Sequence, residues 1–219
     1  MAAEPARYEL HAEDETHLET NPYLSRVWHR RGVQPTIPAA GTNRRLTVFG
    51  SVEVLGRGRV EVVGAGQDSA AFARYLGALD ARYAATGREV FLLIDNGPCH
   101  TSVASRAALA ARADWLHVLW LAKYSPQLNP KEREWRVLKR DARGHLDPSQ
   151  RAFVDGILEG LRQLGGERLD IIDAVPDWFL AGHRRPPTGR PRGRPKGAKD
   201  SAKRAPYRRY QDANLPAVA

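Results

Sequence analysis

Apolar and polar positions along the chain alternate between two periods, and the changes of period mark the elements. Tyr8, Leu10 and Ala12 alternate with polar residues and run into Glu13-Asp14-Glu15, which predicts a short strand ending in acids. Leu46, Val48, Val52 and Val54, then Val60 and Val62, flank Gly56-Arg57-Gly58 and predict a hairpin over 44–55 and 59–63. Asp68 can cap a helix in which Phe72, Leu76, Leu79 and Tyr83 keep the three-and-four spacing of a buried stripe, ended by Gly87. Val90 to Ile94 is apolar without alternation, as in a strand covered on both faces, and Asp95 stands at its end.

Asn96-Gly97-Pro98 breaks the chain, and Thr101 or Ser102 can cap a helix through Arg112. A second apolar run, Leu116 to Leu121, leads to Tyr-Ser-Pro and to Asn129-Pro130. Asn at the cap with Pro at the first helical position starts a helix that reaches about Arg143 and carries Glu132 in its first turn. A β-α-β unit of this length implies parallel neighbouring strands whose C-terminal ends open onto one crevice, so Asp95 and Glu132 can face the same site. Phe153, Ile157, Leu161 and Leu164 predict a further helix. Leu169, Ile172, Val175, Trp178 and Phe179 read as a last amphipathic piece interrupted by Pro176.

Composition changes the picture mainly at the C-terminus. Of the 219 residues, 1–183 hold 23 Lys or Arg against 23 Asp or Glu, whereas 184–219 hold 11 against 2, so the whole net charge of +9 lies in the tail. A neutral folded part with a basic extension suits a polyanionic partner, and the tail has no apolar face with which to lie on a membrane. Between Arg184 and Pro206, 8 of 23 residues are Pro or Gly, which predicts a disordered segment. No stretch reads as a signal peptide or reaches the roughly 20 apolar residues of a membrane span, so a cytoplasmic, nucleoid-associated protein is expected. Cys99 is the only cysteine, which excludes an intramolecular disulfide and any zinc cluster of cysteine spacing.

Each candidate acid also has a plain structural reading. Glu132 can close a capping box three residues after Asn129, Asp95-Asn96-Gly97 can be only a turn, and Glu13-Asp14-Glu15 can be a solvated loop. The combination is more specific than its parts. Asp95-Asn96, His100, Tyr124-Ser125-Pro126, Leu128-Asn129-Pro130, Glu132 and Trp135 resemble the second half of the catalytic domain of mariner-like DDE transposases, nearest the bacterial insertion-sequence branch conventionally numbered 630. The 36 residues between Asp95 and Glu132 are close to the family's spacing, while Lys131 departs from it, standing where an apolar residue is usual. Asp14-Glu15-Thr16-His17, with Pro22, Arg26, Trp28 and Gly32, resembles the opening of the same domain.

The resemblance covers roughly residues 7–145 and implies an α/β, ribonuclease-H-like fold, a mixed sheet flanked by helices, over 1–183. It implies a metal-binding triad of Asp14, Asp95 and Glu132, with Glu13 and Glu15 as register alternatives to Asp14, and with Asn96 and His100 near the site. Three carboxylates suit two Mg²⁺ or Mn²⁺ ions and suit zinc poorly. The implied reaction is DNA strand cleavage and strand transfer, with element ends and target duplex as partners. A homodimer and a separate N-terminal helix-turn-helix polypeptide are further partners in this reading, because the family's helix-turn-helix modules do not precede the first strand here. A non-catalytic DNA-binding relic, or a nuclease of the same fold without strand transfer, is the competing class. Residues 189–197 resemble an AT-hook, with Arg190, Arg192, Arg194 and Lys196 as the groove-binding residues.

Overall fold

The computed structural model describes residues 7–21, 28–33, 36, 43–56, 58–122, 125–142, 150–165 and 168–181. Its centre is a six-stranded sheet in the order β5-β4-β1-β2-β3-β6. The strands are β1 (Tyr8–Glu19), β2 (Arg45–Glu53), β3 (Gly58–Gly64), β4 (Glu89–Ile94), β5 (Leu116–Trp120) and β6 (Arg168–Asp173). β1, β2 and β3 form an antiparallel meander, while β4 joins β1, β5 joins β4 and β6 joins β3 in parallel.

Helices cover both faces. α1 (Ser69–Thr86), the short α2 (Pro98–Thr101) and α3 (Val103–Ala110) lie on one side, and α4 (Lys131–Ala142) with α5 (Gln150–Gln163) on the other; the short α6 (Asp177–Leu180) packs on α5. Strand alternation divides the side chains between these faces. Phe49, Val60 and Val62 join Phe72, Tyr75, Leu76 and Leu79 of α1 in one core. Leu18, Leu46, Val48 and Val63 join Trp135, Leu138, Phe153, Ile157 and Leu161 of α4 and α5 in the other.

The caps form as the sequence predicts. The Asp68 carboxylate accepts from the Ala71 N–H at 2.9 Å, and Gly87 closes α1 in the left-handed conformation at φ 65°. Of the two candidate caps after Asp95, Ser102 is used, accepting from the Ser105 N–H, and α3 ends at Ala110, short of Arg112.

Three expectations need correction. β1 does not end at its acids but continues to Glu19, because β2 keeps pairing with it as far as Glu19↔Arg45. β4 is not uniformly covered: burial alternates, with Val90, Leu92 and Ile94 buried and Phe91 and Leu93 only half-buried, since its other face has Tyr8 and His117 as light cover for Phe91. The last amphipathic piece is a sixth strand followed by a helical turn, and its first half is held by parallel pairing to β3. Among the described residues no helix is long and apolar enough to cross a membrane. The tail, with Arg190, Arg192, Arg194 and Lys196, lies outside the described residues.

Candidate active site

The three candidate acids come from three elements, and strand register places two of them, Asp14 and Asp95, side by side. The parallel pairing of β1 with β4 ends at Ala12↔Leu93; two residues further along each strand stand Asp14 and Asp95. Asp14 is therefore mid-strand in β1 but lies where the neighbouring strand stops. Glu132 arrives through Asn129, whose side chain donates to the Glu13 carbonyl at 2.7 Å and accepts from the Lys131 N–H at 3.1 Å. One buried amide thus ties the start of α4 to the residue before Asp14 and sets Glu132 one turn along.

Alternation along β1 separates the consecutive acids. Asp14 pairs with Gly50 of β2, which pairs with Glu61 of β3, and this row faces α4; Glu13 and Glu15 face α1 and α2 instead. Asp14 thus shares its face with Glu132, and the two register alternatives do not. Burial raises the Asp14 pKa to about 7, and the charges of Glu15, Glu132 and Asp95 add to the rise.

Asp95 is half exposed and held from below. Its Oδ1 accepts from the Gly97 N–H at 2.7 Å and from His100 Nδ1 at 2.9 Å, and the His100 bond is the main reason its pKa lies below the usual carboxylate value. A Cβ on Gly97 would lie 2.9 Å from that same oxygen, so glycine is what lets the turn fold under the carboxylate. Asn96 does not face the acids through its amide; its Nδ2 donates to the Leu121 carbonyl at 2.7 Å and joins the ends of β4 and β5.

His100 is completely buried, packed edge-on against Phe72, and meets acids on both nitrogens. Nδ1 bonds Asp95, while Nε2 lies 3.2 Å from Glu13 Oε2 and 3.5 Å from Glu15 Oε1. Burial opposes charge on the ring, but the Glu13 charge and the Asp95 bond outweigh it and push the His100 pKa far up. Burial in turn raises Glu13 to about 8 against the pull of His100. Sequence position put His100 near the site; its contacts with Glu13 and Glu15 depend on strand alternation and on where α2 lands, neither of which the acids' spacing reveals.

Lys131, the departure from the resembled pattern, has a specific partner. It is fully buried, ion-paired with the equally buried Glu61 and with Glu134 Oε2 at 2.9 Å, and its Nζ sits 4.2 Å from the Trp135 ring centroid. Arg59 completes the network by forking onto Glu134, 2.7 Å on one arm, with Nε 3.6 Å from Glu61. Gly50 makes the space: a Cβ there would lie 1.9 Å from Glu61 Oε2 and 2.7 Å from Trp135. Glu134, next but one to Glu132, is thereby committed to packing.

A protein-family model described as DDE superfamily endonuclease matches residues 9–152, more than half of the 219 residues. No curated protein matches the chain. Among solved structures it is similar to the Mos1 transposase in a paired-end complex with the left transposon end, with a TM-score of 0.51 and 18% identity over 80% of this chain and 55% of that one. It is likewise similar to a chain of the simian T-cell lymphotropic virus intasome in complex with PP2A regulatory subunit B56 gamma, at TM-score 0.50 and 17% identity over 88% of this chain and 60% of that one. At these identities the likeness is one of fold: the mixed six-stranded sheet flanked by helices is the ribonuclease-H-like fold of transposase and integrase catalytic cores. The chain spans little more than half the length of these two relatives.

Proposed function

The chain belongs to the DDE superfamily endonucleases, and on that premise we propose that it is the catalytic domain of a mariner-like transposase, of the bacterial insertion-sequence branch numbered 630. Residues 1–183 form that domain in this reading, and 184–219 form a basic extension that follows DNA. Asp14, Asp95 and Glu132 hold two Mg²⁺ or Mn²⁺ ions, which supply Lewis acidity for displacement at a phosphodiester. The residues present fit such ions: all three donors are hard carboxylate oxygens, and Asp14, whose pKa is raised first by burial and then by the charges of Glu15, Glu132 and Asp95, would be relieved by a shared cation.

The chain's own groups then have separate tasks. Asn129 keeps Glu132 against β1, Gly97 and His100 aim Asp95, and Asp14 stands between them. The DNA substrates are the element ends and the target duplex, and a second copy of the chain and a helix-turn-helix polypeptide are its protein partners in this reading. A cytoplasmic, nucleoid-associated location accompanies this activity. The AT-hook-like tail, through Arg190, Arg192, Arg194 and Lys196, adds affinity for AT-rich minor grooves.

The observation that supports the reading is that Asp14 and Asp95 stand two residues beyond the point where β1 and β4 stop pairing, with the start of α4 tied to the neighbouring Glu13 carbonyl by Asn129. Strand transfer tests it. Duplexes made from the DNA on either side of the gene, each with a free 3′-hydroxyl, are incubated with chain, Mg²⁺ and a target plasmid. Covalent joining is the expected result. Cleavage without joining leaves a nuclease of the same fold, and neither reaction, from a folded chain that still binds DNA, leaves a non-catalytic DNA-binding protein.

A further inference from the structure

Behind the triad, on the opposite face of β1, Glu15, Cys99 and His100 form one cluster, and Glu13 lies against His100 beside it. The carboxylate Oε1 of Glu15, the thiol of Cys99 and an imidazole nitrogen of His100 all lie within 4.8 Å of one another. Glu13 Oε2 and His100 Nε2 face each other at 3.2 Å as a buried ion pair outside hydrogen-bond geometry, so neither Glu13 oxygen nor Nε2 makes a hydrogen bond. Glu13 is 1% and His100 0% exposed. Acceptors without a hydrogen bond at that depth are costly, and each such group in a folded protein needs an explanation.

The geometry points to a zinc site formed by Glu13, Glu15, Cys99 and His100 Nε2, distinct from the catalytic acids and placed directly behind Asp95. Thiolate with imidazole is a soft donor pair that selects zinc over Mg²⁺, and the two carboxylates complete a four-coordinate shell. Bond lengths of about 2.0–2.3 Å put tetrahedral ligands about 3.3–3.6 Å apart. Nε2 stands 3.2 Å from Glu13 Oε2 and 3.5 Å from Glu15 Oε1. The Cys99 Sγ to Glu15 Oε1 separation is 2.6 Å, shorter than an ordinary thiol hydrogen bond, and the two have to part by about 1 Å to bind one ion.

The other ring nitrogen supports the assignment. His100 Nδ1 is 2.9 Å from Asp95 Oδ1, so a neutral imidazole on zinc through Nε2 keeps its N–H for that carboxylate. A carboxylate–histidine–metal chain of this kind fixes both tautomer and ring orientation. Zinc would thus stiffen the support under Asp95 from the far side. Spacing could not reveal the site, since two donors are adjacent on α2 and two alternate on β1.

The chain has one cysteine, so a thiolate-to-cobalt charge-transfer absorption in the near ultraviolet can arise only at Cys99. The full chain, with metal stripped and then titrated with Co²⁺ under excess Mg²⁺ to occupy the acidic triad, is expected to develop that band to one equivalent and lose it to stoichiometric Zn²⁺. Glu13→Gln, checked for folding by circular dichroism, should weaken cobalt binding at least tenfold; Cys99→Ala should abolish the band. A folded wild-type chain without a thiolate band overturns the site and leaves His100 as an imidazolium bridging three carboxylates. A band whose affinity Glu13→Gln does not change also overturns it, because the buried Glu13 carboxylate is then no ligand.

Discussion

Lys131→Met isolates the cost of the buried ion pair beside the site. Lys131 and Glu61 are both 0% exposed, so the substitution leaves a carboxylate without its main counter-ion in the core. Breaking such a pair costs about 3–5 kcal/mol. Arg59 remains with its Nε 3.6 Å from Glu61, which puts the loss near the lower end, about 3 kcal/mol of a total stability on the order of 5–15 kcal/mol. For a chain of this size that corresponds to a fall in Tm of roughly 6–12 °C. Burial already raises the Glu61 pKa, and Lys131 is the largest opposing influence, so the variant's folded state binds a proton at Glu61 more tightly still. Stability from that proton is present at low pH and lost as pH rises, so the deficit is smaller near pH 5 than near pH 8. Removing both charges in Glu61→Leu/Lys131→Met should bring stability back to within about 1 kcal/mol of wild type or above it. Urea denaturation of the three variants at both pH values measures this. A single variant within about 1 kcal/mol of wild type near pH 8, or a double variant no better than the single, would refute the account of the network.

Asp14→Asn, with chelator present, should raise Tm near pH 8 but not near pH 4: the native pKa of about 7 against an ordinary 3.8 means that wild-type stability is lost as pH rises between these values; an equal effect at both pH values contradicts the crowding of the acids. His100→Ala removes the cation among Glu13, Glu15 and Asp95 and should cost about 3–5 kcal/mol in urea denaturation without metal, whereas a loss under about 1 kcal/mol would show that those acids are neutral. Deleting 184–219 takes away 11 basic groups, and if about six phosphates are involved the slope of log affinity against log salt should fall by roughly five units. Arg192→Ala with Arg194→Ala should weaken binding to AT-rich duplexes more than to GC-rich ones in a fluorescence-anisotropy titration; equal losses reduce the tail to a phosphate contact.

Most elements were legible because their signals are local. Asp68, Gly87, Ser102 and Asn129 mark helix ends in the sequence and cap them in the structure. β6 was not, since its pairing with β3 joins segments about a hundred residues apart and six residues of mixed pattern carry no register. The stop of β1 was misplaced for a related reason: the acids mark where β4 ends, while the chain beneath them runs on beside β2. Within the site, resemblance pointed to the acids, but the sorting of Glu13 and Glu15 from Asp14 is a matter of strand alternation and became clear only with the partners on each face. The burial of Lys131 depends on Gly50 and Glu61 in two other strands, and no window around Lys131 contains either.

The proposal that Asp14, Asp95 and Glu132 together hold the catalytic ions is tested most directly by metal-dependent nicking of duplex DNA taken from either side of the gene. Wild type should cut with Mg²⁺ or Mn²⁺ and not with chelator. Asp14→Asn, Asp95→Asn and Glu132→Gln, each folded by circular dichroism, should each lose on the order of a thousandfold in rate, as expected when several kcal/mol of metal-borne stabilisation disappears. A folded Asp14→Asn variant that cuts at the wild-type rate while Glu13→Gln or Glu15→Gln does not would contradict the assignment and move the site to the other face of β1.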